Sequence, residues 1–115
     1  MLVYTLGFID RATLLFKFDK HVTRGREFPY ATADEYETYA DEFNGGPRDA
    51  ATEQCYRVKR DSSVGDQVRY NTADERFGVL GNDNIIRSYY IPDPFRHGKA
   101  SNRIYYEDAC LEVRG

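Results

Sequence analysis

The sequence predicts an α+β fold: two N-terminal helices packed on a four-stranded antiparallel sheet, followed by a short C-terminal helix. Three observations carry this prediction. Apolar residues recur at three- and four-residue steps after Asp10 and again after Thr32, the period of an amphipathic helix. From about Thr52 the period changes to two. The strand-like runs are separated by short turns, which only antiparallel neighbours allow. Helices that come before the strands in this way pack on one face of the sheet.

Each element has its own local reason. Residues 2–6, within an N-terminal stretch of 1–9, read as either a short strand or a loose arm. Asp10 is a suitable N-cap for a first helix running to about His21. Leu14, Leu15 and Phe18 form its apolar stripe. Lys17 and His21 are four residues apart and share a face, with Lys20 on the same edge. Arg24-Gly25-Arg26 breaks the helix, and Phe28-Pro29-Tyr30 is extended. Thr32 and Glu35 form a capping box for the second helix, whose buried side is Tyr36, Tyr39, Ala40 and Phe43. Gly45-Gly46-Pro47 ends it as a glycine C-cap followed by proline. The acidic outer face of this helix reads as solvated.

In the first strand, Gln54, Tyr56 and Val58 alternate with Cys55, Arg57 and Lys59. Asp61 to Gly65 is a turn, and Gln67–Tyr70 is the second strand. Phe77–Leu80 is the third, and Gly81-Asn82-Asp83-Asn84 a hairpin turn whose Gly and Asn tolerate positive φ. Ile85 to Ile91 is the most β-prone run and forms the fourth strand. Pro92-Asp93-Pro94 stops it, and residues 95–100 read as a loop. Ser101 or Asn102 caps the last helix.

A chain of 115 residues suits one domain, residues 1–115, with one core. Ten Tyr and seven Phe supply that core and argue against disorder. The formal net charge of −3 counts against a simple nucleic-acid binder. The charge is uneven, however. Acidic residues crowd positions 34–49, while basic ones gather near Lys17 and Lys20, near Arg57 and Lys59, and near Arg96 and Lys99. A local cationic patch is compatible with an acidic chain. Cys55 and Cys110 have no partners at metal-ligand spacing, so no metal site or cofactor is expected. They read as two buried free thiols, with a disulfide between them left open. No apolar run is long enough to span a membrane. Met1 to Phe8 lacks a basic n-region and a small-residue cleavage site, so no signal peptide is expected and export would need a carrier.

The chemistry-bearing residues fall in two segments. Lys17-Phe18-Asp19-Lys20-His21 ends the first helix, where basic groups also suit the helix dipole. Arg87-Ser88-Tyr89-Tyr90 lies in the fourth strand, where strict alternation puts Ser88 and Tyr90 on one face with Ile86. If the first helix crosses that face near its end, the two segments converge. Metal-free RNA cleavage needs such parts. His21 moves protons, Lys20 stabilises the phosphate with help from Lys17, Ser88 hydrogen-bonds the phosphate, and Tyr90 stacks or orients. His97 is a second candidate for proton transfer. Arg87 and Asn102 are candidates for contacts to the RNA backbone.

The same residues resemble a family. The Lys17–His21 run, the Gly-Arg-Glu-Phe turn and the Glu35-Tyr36 helix are similar to the start of colicin D-like toxin domains and the toxin tips of contact-dependent inhibition proteins. Val68-Arg69-Tyr70-Asn71, Phe77-Gly78-Val79-Leu80, Ile86 to Asp93 and Ser101 to Tyr106 resemble that family's strands and closing helix. The likeness runs from Leu14 onward. Tyr90 stands where colicin D itself has a tryptophan, and Phe18 where it has a lysine, with Lys17 as the substitute. The resemblance implies the barnase/EndoU/colicin/RelE-like nuclease fold and a tRNA substrate cut in or near the anticodon loop. It implies a cognate immunity protein as partner, while attack by the substrate's own 2′-hydroxyl, the metal-free route, is expected to give 2′,3′-cyclic phosphate and 5′-hydroxyl products. It also implies delivery as part of a larger secreted protein, with action in the target-cell cytoplasm. The rival reading is a non-catalytic interaction module or an inactive toxin relative, with the acidic second helix as its binding surface.

Overall fold

A computed structural model describes residues 2–113. Its helices are α1 (Arg11–Phe18), continued by a π-helical turn (Asp19–Thr23), α2 (Ala33–Gly45), α3 (Pro94–His97) and α4 (Asn102–Leu111). Its strands are β1 (Thr52–Val58), β2 (Val64–Asn71), β3 (Phe77–Leu80) and β4 (Ile86–Tyr90). Among the described residues the strands form one antiparallel meander in the order β1-β2-β3-β4. This is the predicted α+β class. The helices do not share one sheet face, however. Gln67 and Arg69 of β2 donate to backbone carbonyls at the end of α2, at 2.6 to 3.0 Å. Val68 and Tyr70, which alternate with them, pack instead with Tyr106 and Ala109 of α4. A sheet apolar on both faces needs a cover on each.

The α2 face holds the larger core. Tyr89 is completely buried there, with its ring parallel to Phe28 at 4.8 Å and tilted against Tyr36 and Phe43. Its hydroxyl meets that of Tyr30 at 2.8 Å, so the polar tip is satisfied as the ring is buried. Gly78 of β3 permits this packing. A Cβ there would lie 2.4 Å from Asn44 Oδ1 and 2.9 Å from the Phe43 ring.

Local signals behaved unevenly. Asp10, Thr32 and Ser101 cap α1, α2 and α4 by accepting from backbone N–H groups three residues on, at 2.7, 3.1 and 3.2 Å. Gly46 follows α2 in an extended conformation rather than the left-handed one expected of a glycine cap. The stripe on the first helical segment is Leu14, Phe18 and Val22; Leu15 and Phe16 are exposed. Tyr39 is also half-exposed and stacks on Tyr30 at 4.6 Å. Residues 94–97 form a one-turn helix where a loop was expected.

Strict alternation fails in β4. Val79 pairs with Ser88 and Leu80 with Ile86, so Arg87 is an extra, bulged residue. The bulge puts Ile86 and Tyr89 together on the α2 side. Tyr90 packs with the α4-side cluster. Ile86 therefore does not share a face with Ser88 and Tyr90.

Residues 2–8 are an arm rather than a strand, apart from one parallel bridge between Phe8 and Ile86. The acidic face of α2 is not simply solvated, because Asp41 holds this arm. Asp41 is 1% exposed and accepts from the backbone N–H groups of Val3, Tyr4 and Thr5 and from the Thr5 hydroxyl, at 2.6 to 3.3 Å. Burial raises its pKa, but these four donors outweigh burial and hold it below the ordinary carboxylate value. A depressed carboxyl stabilises the fold fully above its unfolded pKa of about 3.9 and loses that contribution as pH falls through the folded value. Asp41→Asn is expected to cost about 2 kcal/mol at pH 7. Urea titrations should show this gap narrowing below about pH 4; a gap independent of pH would count against the charge.

The expected free thiols are instead a disulfide, Cys55–Cys110, which ties β1 to α4 with Cα atoms 5.9 Å apart. The two residues are 55 apart in sequence, so neither spacing nor composition showed that the fold brings them together.

Candidate active site

The site forms where three features meet the exposed edge of β4. An edge strand offers unpaired backbone groups, which a fold must cover. The arm covers the first part: Leu6 N–H donates to Asn84 O at 2.9 Å, and Ile86 N–H to Gly7 O at 2.8 Å. Lys17 Nζ covers the bulge, donating to Arg87 O at 3.1 Å. Glu27 covers the end, its Oε1 accepting from Ile91 N–H at 2.7 Å. The first helical segment thus runs past the edge of β4 rather than across a sheet face.

His21 sits in the π-helical turn. The widened turn is closed by Arg24 N–H donating to Asp19 O at 2.8 Å. The chain then reverses at Gly25 and at Arg26, whose φ is 52°. Gly25 is required here, since a Cβ would lie 2.4 Å from Lys20 O. Glu27 N–H returns to His21 O at 2.9 Å. This reversal puts Glu27 Oε2 2.8 Å from His21 Nδ1. The imidazole is 6% exposed and lies parallel to the Tyr90 ring at 5.0 Å. With Nδ1–H donating to the carboxylate, Nε2 is left without a hydrogen bond among the described residues, yet it is not sealed from solvent.

His21 lines a cavity of about 290 Å³ together with Lys17, Lys20, Ser88, Tyr90 and His97. Arg96 and Asp93 complete its charged lining, giving three basic side chains against one carboxylate. Lys17 has its pKa lowered by burial first and by neighbouring Lys20 second. The Ser88 hydroxyl makes no hydrogen bond within the described residues and is available to a ligand. The cleft therefore offers a proton-accepting nitrogen, cations and a hydroxyl donor around a space suited to a phosphate.

Several predicted roles change. Tyr90 is not an open stacking platform. One face of its ring carries His21, and its hydroxyl is bonded to Tyr105. Burial, then that bond, pushes its pKa far above the usual phenol value, so it orients His21 as a neutral ring. His97 has both nitrogens engaged. Lys99 N–H donates to Nδ1 at 3.0 Å, so Nε2 bears the proton and donates to Asn102 Oδ1 at 2.9 Å. Neither nitrogen is left for proton transfer, and His97 acts as a wall stacked on Tyr105. Asn102 is buried rather than facing a ligand, and its amide also donates to Pro92 O at 2.8 Å. Arg87 lies in a neighbouring cavity and pairs with Asp83 at 2.7 Å. Arg57, counted with the basic surface clusters, is buried and ion-paired.

Sequence reasoning missed Glu27, Tyr105 and Arg96. Glu27 follows His21 by six residues across a chain reversal, a spacing that no helical or strand period marks. Among the described residues, no three His, Cys, Asp or Glu side chains gather as a metal-ligand set, and no helix is long and apolar enough to cross a membrane. Fold and cleft together define an α+β domain with a histidine–carboxylate pair in a cationic pocket. Against known proteins the chain matches no family model, no curated protein and no solved structure.

Proposed function

We propose that this domain is an endoribonuclease that works without a metal ion, a toxin of the colicin D-like and contact-dependent inhibition kind. Its proposed substrate is RNA, with tRNA cut near the anticodon loop, and its proposed protein partner is an immunity protein that covers the cleft. Delivery within a larger secreted protein and action in the target-cell cytoplasm belong to the same proposal. The carrying observation is that the His21–Glu27 pair opens into the same cavity as Lys17, Lys20, Arg96 and the unbonded Ser88 hydroxyl.

In this reading His21 Nε2 takes the proton from a ribose 2′-hydroxyl as that oxygen attacks phosphorus. The P–O5′ bond breaks, giving a 2′,3′-cyclic phosphate and a 5′-hydroxyl. Lys20, Arg96 and Ser88 bind the phosphate oxygens as charge develops on them. The leaving 5′-oxygen needs a proton. Lys17 is suited to supply it, because burial and Lys20 make its ammonium more acidic than usual.

The test is incubation of the purified protein with total RNA in chelator, with sequencing of the fragment ends. Cyclic-phosphate and 5′-hydroxyl ends clustered in tRNA anticodon loops are expected. Intact RNA beside a folded protein would overturn the reading and favour a binding module.

Glu27 supplies a finer test. In Glu27→Gln the amide oxygen can keep the Ile91 contact, which turns the NH₂ group toward Nδ1. Nδ1 must then accept, and the ring proton moves to Nε2, the nitrogen needed as base. The kcat should fall about 10²-fold with KM little changed. A rise in KM alone would make Glu27 a binding group instead.

A further inference from the structure

Of the seven Phe in the chain, four are buried, Phe18 packs against the core and Phe16 is half-exposed. Phe95, in the one-turn α3, is 100% exposed, so both faces of its ring are open to water. Such exposure forgoes the burial that places phenylalanine in cores. The residue stands at the rim of the cleft that holds His21: Asp93, Arg96 and His97, on either side of it in sequence, line that cleft. With about 3.6 residues per helical turn, Phe95 leaves α3 roughly 100° around from Arg96.

The turn that carries this open ring is itself well bonded. Asp93 Oδ1 accepts from Phe95 N–H at 3.0 Å. Arg96 and His97 N–H donate to Asp93 O at 2.9 and 3.0 Å, and Gly98 N–H donates to Pro94 O at 2.9 Å. Gly98 ends the turn at a φ of 73°. His97 anchors it, stacked on Tyr105 and bonded to Asn102. An aromatic side chain on a fixed backbone has few torsions left to order when a ligand arrives. The aromatic rings inside the cleft are already covered: Tyr90 carries His21, and Tyr105 carries His97.

We infer that Phe95 is a stacking platform for one base of single-stranded RNA, beside the phosphate held in the cleft. The inference rests on the ribonuclease reading for its ligand. Single strands are bound by a cationic groove with aromatic rings along it, and the contact tolerates any base because each has a π-face. Lys17, Lys20 and Arg96 supply the cations. The Arg96 side chain is 82% exposed and meets Asp93 only at 4.0 Å, the limit of an ion pair. A protein-docking surface is instead a contiguous apolar patch, whereas the chain neighbours of Phe95 are Asp93, Pro94, Arg96 and Gly98. A base inside a duplex hides both faces in the stack, so the platform selects unpaired nucleotides.

The chain has no Trp, so Phe95→Trp is a single fluorescent reporter at this position. Its emission should be quenched by a single-stranded 2′-O-methyl oligonucleotide, which lacks the nucleophile and is not cut. The same strand annealed to its complement, or inorganic phosphate, should leave it unchanged. Phe95→Ala should weaken binding of the single strand about tenfold, within the range of a lost base–aromatic stack. Phe95→Leu should weaken it nearly as much, because it keeps apolar area but offers no ring. Full exposure lets these variants fold, which circular dichroism verifies. Binding by Phe95→Ala within about twofold of wild type, full binding by Phe95→Leu, or unquenched Phe95→Trp with the strand bound would overturn the platform and leave the ring to a protein partner. Quenching without cleavage of the unmethylated strand would sink the ribonuclease reading alone, and cleavage with binding indifferent to Phe95 the platform alone. No binding of RNA in either form would end both.

Discussion

His21→Ala is expected to lower the rate of RNA cleavage by about 10³-fold, within the 10²–10⁴ range of a general acid–base group and equal to about 4 kcal/mol of barrier. The expectation follows from how the ring is held. Glu27 takes Nδ1, Tyr90 covers one face, and the cleft reaches the remaining nitrogen. No nearby group can replace it. The nitrogens of His97 are committed to Lys99 and Asn102, and Tyr90 stays protonated. The variant also strands the Glu27 carboxylate, although its bond to Ile91 N–H remains. A stability loss of about 1–2 kcal/mol is therefore expected beside the kinetic one. Initial rates on a tRNA substrate, measured well below the variant's melting temperature, separate the two. A variant retaining a third of the wild-type rate would remove His21 from the reaction.

Breaking the Cys55–Cys110 bond is expected to cost about 4 kcal/mol, the loop-closure value for residues this far apart. For a domain of this length that lowers the melting temperature by on the order of 15 °C. It is a large share of the roughly 5–15 kcal/mol that holds such domains folded. Melting curves with and without dithiothreitol, and of the Cys55→Ala/Cys110→Ala variant, measure it. A shift under about 3 °C would show that α4 stays on β1 without the link. A cytosolic redox environment reduces most disulfides, so the same experiment reports how stable the domain is in a reducing compartment.

The order of elements was legible because it depends on local physics. Asp10, Thr32 and Ser101 sit where side-chain oxygens can reach orphan N–H groups, and Phe77–Leu80 reads as a strand with matching bounds. The shared cavity of Lys17, Lys20, His21, Ser88 and Tyr90 was foreshadowed by the i, i+4 spacing and the β-prone run. The roles of His97 and Asn102 were not, because their partners Tyr105, Pro92 and Glu75 come together only through the turn after β4.

Sequence alone determined the three longer helices and where they begin, the four strands, and which residue types suit proton and phosphate chemistry, since these follow from neighbours a few positions apart. Tertiary structure decided the rest: the bulge at Arg87, the burial of Asp41, the Cys55–Cys110 bond and the carboxylate behind His21. The physical reason is the same for all four. Each arises where an unpaired group or an open face must be satisfied by whatever the rest of the folded chain brings beside it, and no periodicity along the chain records that meeting.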